Sequence, residues 1–345
     1  MDAPSIALVG ATGAVGRECL SILEQRRFKH GAIKLLASSR SAGTAIAYRG
    51  KQVLVEELGP RSFDGVKLAF FAAGADTVKA FAPIAVAAGC TVIDKSSAYR
   101  SDASAPLVIP EVNREALAGM RASGKAGIVA VPNCSTIILL IPLTPIRKAF
   151  GIERVVVSTY QAASGAGAAA MEELESQTRD VLDGKPAMPR IFKEPCAFNV
   201  FSHDSTMNAA TGLNSEEQKF TTESRKIWDD PTVKVNAMCV RVPVMRGHSE
   251  SVCLTLKKPV TEAQFRGVLE GAPGLKIVDD RANNRFPTPL KVSGGDDVLV
   301  GRIRPDDTQE NSGGAYRGWN LWISGDQLRT GAALTAVKIA ELLQK

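Results

Sequence analysis

Short apolar runs alternate with helix-length segments along the first 130 residues. The runs Ile6–Val9, Ile33–Ala37 and Leu68–Phe71 are almost continuously apolar, as is a fourth short run at 91–93. An Ala-rich segment of helix length, 76–88, separates the last two of these runs. Buried strands that alternate with helices are typical of a parallel sheet with helices on both faces. The pattern therefore predicts a doubly wound α/β domain at the N-terminal end.

The pattern changes after an apolar segment of helix length at 137–150. It becomes a mixture of strand-like runs rich in β-branched residues and of polar helical segments, with strands expected at 155–160, 237–244 and 251–256 and a helix near 171–182. A mixture of this kind predicts an inserted α+β domain.

The last amphipathic segment, 327–343, predicts a helix that packs back on the first domain. We therefore divide the chain into a first domain, residues 1–132 completed by a C-terminal helix at 326–345, and a second domain, residues 133–325.

Composition is that of an ordinary globular protein. A chain of 345 residues is long enough for about two domains, and 45% hydrophobic with 23% charged residues argues against disorder. The net charge of +6 comes from scattered Lys and Arg residues, which favours a solvated surface over a nucleic-acid partner. No stretch reaches the length of a membrane span, and residues 1–4 do not resemble a signal peptide, so a cytoplasmic protein is expected.

The six cysteines are spread along the chain without a Cys-x-x-Cys pair and without His at ligand spacing. This distribution argues against a disulfide framework and against structural zinc, so we expect no metal. Four of the six are interpreted as packing residues: Cys19, Cys90, Cys239 and Cys253.

A glycine-rich segment follows the first strand at once. The spacing Gly-x-x-Gly-x-x-Gly over Gly10, Gly13 and Gly16 stands between a strand and a helix, as in a Rossmann-like dinucleotide-binding fold. Such glycines let the backbone approach a pyrophosphate, which the helix N-terminus then binds. The candidate cofactor-binding residues of this turn are Gly10, Thr12, Gly13, Ala14, Val15 and Gly16.

The second strand ends in Ser38, Ser39 and Arg40, where an NAD-binding fold usually carries an acidic residue. Small hydroxyls and a cation suit a ribose 2′-phosphate better than a free hydroxyl. The segment therefore predicts NADP as the cofactor, with an ordinary polar loop as the alternative.

Cys134 is the strongest candidate for chemistry. It lies in Pro-Asn-Cys-Ser-Thr, residues 132–136, directly between an apolar strand-like run and an apolar helical segment. A helix that begins there would place the sulfur at its N-terminus, where the dipole and the free N–H groups favour a nucleophilic thiolate. The alternative is a buried structural thiol.

Five motifs in this order resemble aspartate-semialdehyde dehydrogenases, and the resemblance runs through nearly the whole chain. They are residues 10–16, 132–136, 161–167, 241–244 together with 247–250, and 328–333. The resemblance implies reversible, NADP-dependent conversion of L-aspartate 4-semialdehyde and phosphate to L-4-aspartyl phosphate through a cysteine thioester, in lysine, threonine and methionine biosynthesis. It also implies a homodimer with small-molecule substrates and no nucleic-acid or membrane partner.

The resemblance assigns roles to further residues. It makes Cys134 the nucleophile, Gln161 an amide that orients substrate, and His248 the acid/base; of the three histidines, only His248 follows a strand inside a family motif. The substrate-binding residues that it implies are Arg241 for the α-carboxylate, Glu216 for the amine, and Arg100, Lys219 and Asn133 for phosphate. It adds Ser164, Gly165 and Gln327 as cofactor contacts, although asparagine is expected in many relatives at position 327.

Other interpretations stay open at this point. Glu216 and Lys219 are spaced for a surface ion pair on a solvated helix, and Arg241 could equally form one on a strand. A related N-acetyl-glutamyl-phosphate reductase uses the same thioester chemistry on a longer substrate with a blocked amine. A catalytically silent NADP-binding relative is a third alternative.

Overall fold

The computed structural model describes residues 3–344. These residues form two compact units, 3–133 with 332–344 and 134–331. The sequence placed the two changes of domain at residues 133 and 326. Residues 1, 2 and 345, which include the start of the segment tested for a signal peptide and the end of the predicted C-terminal helix, lie outside the described residues.

The described residues contain ten α-helices. They are α1 Ala14–Gln25, α2 Ala75–Ala87, α3 Pro110–Asn113, α4 Ala118–Ser123, α5 Cys134–Phe150, α6 Ala168–Leu182, α7 Ser215–Ile227, α8 Glu262–Gly267, α9 Pro289–Val292 and α10 Leu334–Leu343.

The first unit is built on a seven-stranded sheet. Its strands are β1 Ile6–Val9, β2 Ile33–Ala37, β3 Ala45–Tyr48, β4 Lys51–Glu57, β5 Leu68–Phe71, β6 Thr91–Asp94 and β7 Ile128–Ala130. The strand order is β3-β4-β2-β1-β5-β6-β7, and every pair is parallel except β3 with β4. Because β1 is central and fully buried, the turn that follows it lies at the middle of the carboxyl edge. This is the edge at which open α/β sheets bind ligands.

The second unit contains an eight-stranded mixed sheet. Its strands are β8 Ile152–Gln161, β9 Phe201–Ser202, β10 Lys234–Arg241, β11 His248–Val260, β12 Leu275–Ile277, β13 Val298–Pro305, β14 Asn311–Ser312 and β15 Ala315–Gly325. The order is β12-β13-β15-β11-β8-β10-β9, with β14 paired to β15 alone. Helix α5 is apolar on nearly all sides and packs on β8, β11, β13 and β15, as expected for a central core helix. The two units confirm the predicted α/β domain with an inserted α+β domain.

The predicted C-terminal helix is shorter than expected. Residues Arg329–Ala333 form a π-helical turn, and regular α-helix begins only at Leu334. The carboxylate of Asp326 accepts the N–H groups of Leu328 and Arg329 at 2.9 and 3.3 Å, and its carbonyl accepts the N–H of Gly331 at 3.0 Å. This last bond joins residues five apart, which is the π-helical pattern. Helix α10 itself packs on α1, α3 and β6 of the first unit, and Arg26 holds Glu341 through two bonds of 2.7 Å.

Candidate active site

Cys134 is the first residue of α5, as the sequence predicted. The thiol is partly exposed, whereas Cys19 and Cys90 are buried and burial raises the pKa of both thiols to about 12. Gly331 packs directly on the cysteine, because a β-carbon at Gly331 would lie only 2.8 Å from the β-carbon of Cys134. The nucleophile candidate is therefore held between a helix N-terminus and a closely approaching backbone.

Three further candidate residues lie at the same end of three neighbouring strands in the second sheet. Gln161 and Arg241 end the parallel strands β8 and β10 and are partners in register. His248 begins β11, which runs antiparallel to β8, so its side chain comes to the same edge. All three are at least 95% buried, and the strand ends fix their backbone positions.

His248 is fully buried, and the backbone N–H of Ala162 donates to its Nδ1 at 3.0 Å. Within residues 3–344, its Nε2 has no hydrogen-bond partner. Burial, with a smaller effect from the Arg241 cation, lowers the pKa of His248 from 6.5 to about 3. The imidazole is therefore neutral at physiological pH.

Arg241 has its guanidinium fixed on several sides. Its Nε donates to Asp204 at 3.3 Å, its Nη1 donates to the carbonyl of Ala162 at 3.4 Å, and it lies 5.4 Å from the ring centroid of Phe192. A buried arginine oriented in this way presents its remaining N–H groups as a planar donor for a carboxylate. This geometry supports the predicted clamp and argues against a surface ion pair.

Glu216 and Lys219 lie on the first turns of α7. Lys219 donates to Glu216 at 2.7 Å, and the Nε2 of Gln161 lies 3.4 Å from the same carboxylate. Glu216 is only 5% exposed, so the alternative of an ion pair on a solvated helix surface does not fit. The carboxylate instead connects the lysine to the amide of Gln161.

The start of α7 is held by its neighbours. Asn214 and Glu217 form a capping box, and the carboxylate of Glu217 also accepts the backbone N–H of Cys239 on β10 at 3.0 Å. These bonds tie the helix end to the strand that carries Arg241, which sets the position of Glu216 relative to the guanidinium.

His203 and Asp204 belong to this cluster, although the sequence analysis assigned neither of them a role. His203 is 9% exposed, and burial together with the Arg241 cation lowers its pKa from 6.5 to about 4. Its Nδ1 accepts the N–H of Ser205 at 3.2 Å. No motif around 203–205 marked these residues, because their position results from the antiparallel pairing of β9 with β10.

The predicted cofactor residues Ser164, Gly165 and Gln327 also lie in the second unit. The amide of Gln327 accepts the N–H of Gly247 at 2.9 Å and donates to the hydroxyl of Ser164. Gln327 thus joins the loop after β8 to the turn before His248. Direct contact of these residues with the cofactor stays a prediction.

The first unit has a cleft of about 480 Å³ at the carboxyl edge of its sheet. Gly10, Thr12 and Gly13 line it together with Ser38 and Arg40. A β-carbon on Gly10 would lie 2.6 Å from the carbonyl oxygen of Ala72, and one on Gly16 would lie 2.2 Å from that of Gly10. The glycines are therefore required by close backbone packing, and the cleft fits the predicted dinucleotide.

Three further predicted cofactor residues do not line this cleft: Ala14 and Val15 of the glycine-rich turn, and Ser39 after β2. Ala14 and Val15 open α1, while the exposed Ser39 is not among the residues that line the cleft. The role of all three in binding stays a prediction.

Arg100 and Asn133 are the two predicted phosphate residues in the first unit. The guanidinium of Arg100 donates to the carbonyls of Val131 and Lys95 at 3.0 and 2.9 Å, and Asn133 is 6% exposed. Arg100 therefore has a fixed position at the carboxyl edge of β6 and β7. Its binding of phosphate stays a prediction.

Residues 3–344 contain neither a candidate membrane-spanning helix nor a candidate metal site. The described helices include none with the length and apolar character of a membrane span. No group of three His, Cys, Asp or Glu side chains is arranged to hold a metal ion there.

Comparison with known proteins agrees with this geometry. Residues 5–120 match the family model "Semialdehyde dehydrogenase, NAD binding domain", and residues 143–330 match "Semialdehyde dehydrogenase, dimerisation domain". The chain is 45% identical over 343 residues to aspartate-semialdehyde dehydrogenase of Aquifex aeolicus (99% of this chain, 98% of the relative). It is 44% identical over 338 residues to that of a Synechocystis strain (98% and 96%).

Among solved structures, it is similar to aspartate semialdehyde dehydrogenase II of Vibrio cholerae complexed with ASA. The TM-score is 0.93 and the identity 41%, over 100% of this chain and 99% of the other. The chain belongs to the aspartate-semialdehyde dehydrogenase family and is an enzyme of the aspartate pathway.

Proposed function

We propose that this enzyme converts L-aspartate 4-semialdehyde to L-4-aspartyl phosphate with NADP and phosphate, through an acyl thioester on Cys134. The observation that carries this proposal is the placement of a partly exposed cysteine at a helix N-terminus in the unit that also gathers Gln161, Arg241 and His248 at one sheet edge. A thiolate is both a good nucleophile toward an aldehyde and an adequate leaving group from a thioester.

The substrate's two charged groups have matching partners in the second unit. Arg241, oriented by Asp204 and the carbonyl of Ala162, supplies a planar donor for the α-carboxylate. The buried carboxylate of Glu216 supplies the acceptor for a free ammonium group, while Lys219 prevents it from being an uncompensated charge. A substrate with a blocked amine would leave Glu216 without that partner, which disfavours the N-acetyl-glutamyl alternative.

The nicotinamide cofactor is assigned to the first unit. The cleft lined by Gly10, Thr12 and Gly13 would hold the pyrophosphate, and Ser38 with Arg40 would hold a 2′-phosphate. When bound, NADP supplies the acceptor for the two electrons that leave the substrate carbon.

The remaining roles follow from the chain's own residues. Gln161 orients the substrate beside Glu216, and His248 acts at the substrate oxygen. Phosphate is assigned to Arg100, Lys219 and Asn133, since two cations and a neutral amide suit a dianion. We further propose a cytoplasmic homodimer without nucleic-acid partners, supported by the match of residues 143–330 to a dimerisation domain and by the scattered positive charge.

The test is NADPH formation from aspartate semialdehyde with and without phosphate. Sustained turnover is expected only with phosphate, and N-acetyl-glutamate semialdehyde should react far more slowly at equal concentration. Equal rates with both aldehydes would contradict the substrate assignment, and phosphate-independent turnover would contradict the thioester route. Absence of any turnover under either condition would favour the catalytically silent alternative.

A further inference from the structure

A segment without regular secondary structure contacts the guanidinium of Arg241. Residues 183–200 connect α6 to β9 and form neither helix nor strand. Phe192 in this segment is 4% exposed and packs edge-on against Phe201 of β9, with 5.8 Å between the ring centroids. The guanidinium of Arg241 lies over the ring of Phe192. The ring therefore covers one face of the guanidinium and leaves the N–H groups in its plane available to a carboxylate.

Glu173 of α6 fixes the backbone just before Phe192. It is 6% exposed, and its Oε2 accepts the backbone N–H of Arg190 at 2.9 Å and that of Ile191. Its Oε1 accepts a hydrogen bond from the amide of Gln177 at 3.1 Å. All of these partners are donors, so the carboxylate has no acceptor set against it.

Gln177, one helical turn further along α6, fixes the segment on both sides of the ring. Its Oε1 accepts the backbone N–H groups of Cys196 and Ala197 at 2.8 and 3.1 Å, and its Nε2 donates to the carbonyl of Met188 at 3.1 Å. Because backbone N–H groups can only donate, the amide oxygen must face Cys196 and Ala197. The two polar side chains of α6 together hold residues 188–197 in place.

Apolar packing joins the same helix to the other support of the guanidinium. Leu174 of α6 belongs to one buried apolar cluster with Phe192 and Ala163. Ala163 directly follows Ala162, whose carbonyl accepts from Nη1 of Arg241 at 3.4 Å. Helix α6 therefore packs against both the ring and the loop that orient the arginine.

We propose that Glu173 and Gln177 are positioning residues for the α-carboxylate of the substrate. They hold residues 188–197 so that Phe192 keeps the guanidinium of Arg241 in its binding orientation. This inference rests on the proposed function, in which Arg241 binds that carboxylate.

The role predicts a particular kinetic signature. The α-carboxylate keeps its charge while the aldehyde reacts, so its contact with Arg241 is equally strong in the bound substrate and in the transition state. Loss of a contact of this kind raises KM and leaves kcat nearly unchanged. Loss of general structural support would not be confined to the KM of one substrate.

The first experiment exchanges the two side chains. Glu173→Gln alone sets one amide N–H against that of Gln177, and Gln177→Glu alone sets two carboxylates against each other. Both changes together restore one donor and one acceptor, and deprive only the carbonyl of Met188, an exposed residue, of its donor. Each single variant should raise the KM for aspartate semialdehyde about tenfold with kcat within about threefold, and the exchanged variant should recover most of this loss.

Glu175→Gln is the matched control on the same helix. It makes the same chemical change in a carboxylate that pairs only with the exposed Arg179 at 2.7 Å. Its KM should equal that of the parent. Singles without an effect on KM, or an exchanged variant that is worse than both singles, would overturn the inference.

The second experiment uses an aldehyde that lacks the α-carboxylate, 3-aminopropanal. The ratio of kcat/KM for aspartate semialdehyde to kcat/KM for 3-aminopropanal should fall about tenfold in each single variant and recover in the exchanged variant, since only the first aldehyde has a group for Arg241. A merely structural role would lower both values equally and keep the ratio. An unchanged ratio would therefore overturn the inference.

Two further measurements cover a single variant that folds poorly. Phe192→Leu leaves Glu173 and Gln177 intact but removes the aromatic face, and it should lower the same ratio. Hydrogen exchange of ligand-free protein should be faster in residues 188–197 of each single variant than in the parent. An unchanged ratio in Phe192→Leu, or unchanged exchange in the single variants, would reject the positioning role.

The proposed function can fail separately from this inference. A parent protein that does not oxidise aspartate semialdehyde with NADP and phosphate would reject the function, whereas the exchange rates of residues 188–197 would still report whether α6 holds the segment. An active parent whose ratio stays the same in every variant would retain the function and reject the positioning role.

Discussion

A β-carbon on Gly165 would lie 3.1 Å from Nε2 of His248 and 3.2 Å from Nη1 of Arg241. A β-carbon here would therefore press on the side chains of two candidate site residues. This distinguishes Gly165 from Gly167, whose φ of 101° calls for glycine through backbone conformation.

Gly165→Ala should therefore reduce kcat/KM by about 10²-fold, because even a small displacement of reacting groups carries a cost of that order. Steady-state kinetics measure the effect. Gly267→Ala is the matched control, since a β-carbon there meets nothing within 4 Å and the backbone is helical. Unchanged kinetics in Gly165→Ala would show that the space beside His248 is not used by substrate.

Cys134→Ser should lower turnover by at least about 10³-fold, since a serine hydroxyl is hardly ionised near neutrality. Circular dichroism and NADP binding should match those of the parent. Cys253→Ser serves as the control, because Cys253 is also only partly buried but bonds Asn320 on β15 at 2.9 Å and lies outside the family motifs. Activity of Cys134→Ser within tenfold of the parent would remove the nucleophile assignment.

Arg40→Ala should reduce the preference for NADP over NAD, measured as the ratio of the two kcat/KM values, by about tenfold or more. The reason is that Arg40 and Ser38 line the cleft, and none of the described residues that line it is acidic. Arg121→Ala on α4 is the control, because Arg121 is exposed and does not line that cleft. An unchanged ratio would mean that this loop does not contact the 2′-phosphate.

Arg100→Ala should raise the KM for phosphate far more than the KM for NADP. The first burst of NADPH in rapid mixing should be largely kept, because it precedes the attack of phosphate. Arg100 also bonds the carbonyls of Val131 and Lys95, so the thermal stability of the variant must be measured in parallel. A lost burst with an unchanged phosphate KM would place Arg100 in aldehyde binding or in structural support.

Glu250→Gln should stabilise the protein increasingly as pH rises. Glu250 is fully buried, its two carboxyl oxygens have no hydrogen-bond partner within residues 3–344, and burial raises its pKa well above 4.5. Above pH 4.5 the folded chain must keep a proton that the unfolded chain releases, so the parent loses stability as pH rises towards the folded-state pKa. Glutamine removes this dependence. Measuring the Tm of both proteins at several pH values tests this dependence. A Tm difference between variant and parent that becomes smaller as pH rises would contradict a buried, neutral Glu250 side chain.

Local sequence was sufficient for much of the fold and for the position of Cys134 at a helix N-terminus. The strand, glycine turn and helix at 6–25 use adjacent residues, so the pattern could be recognised before any long-range contact was known. Cys134 was likewise identified from its immediate neighbours, because a strand followed by Pro-Asn and an apolar helix fixes where a helix begins.

The rest depended on contacts between distant segments. His203 and Asp204 reach Arg241 because two-residue β9 pairs with the end of β10, and so short a strand has no recognisable periodicity. The contact of Gly331 with Cys134 spans nearly the whole second unit. The late start of α10 goes with the backbone bond from Gly331 to the carbonyl of Asp326, a π-helical contact that the amphipathic pattern does not reveal.

The bond from Ala162 to His248 limits what conventional mutagenesis can reveal. Residue 162 acts through its backbone: its N–H meets the ring of His248, and its carbonyl accepts from Arg241. Every residue except proline keeps that N–H, and residue 162 is already alanine. An alanine scan therefore does not test this bond. Semisynthesis with an ester in place of the 161–162 amide would remove the N–H alone. Comparing the kcat of that protein with the kcat of the parent would measure what the backbone bond to His248 contributes, which side-chain substitution cannot do.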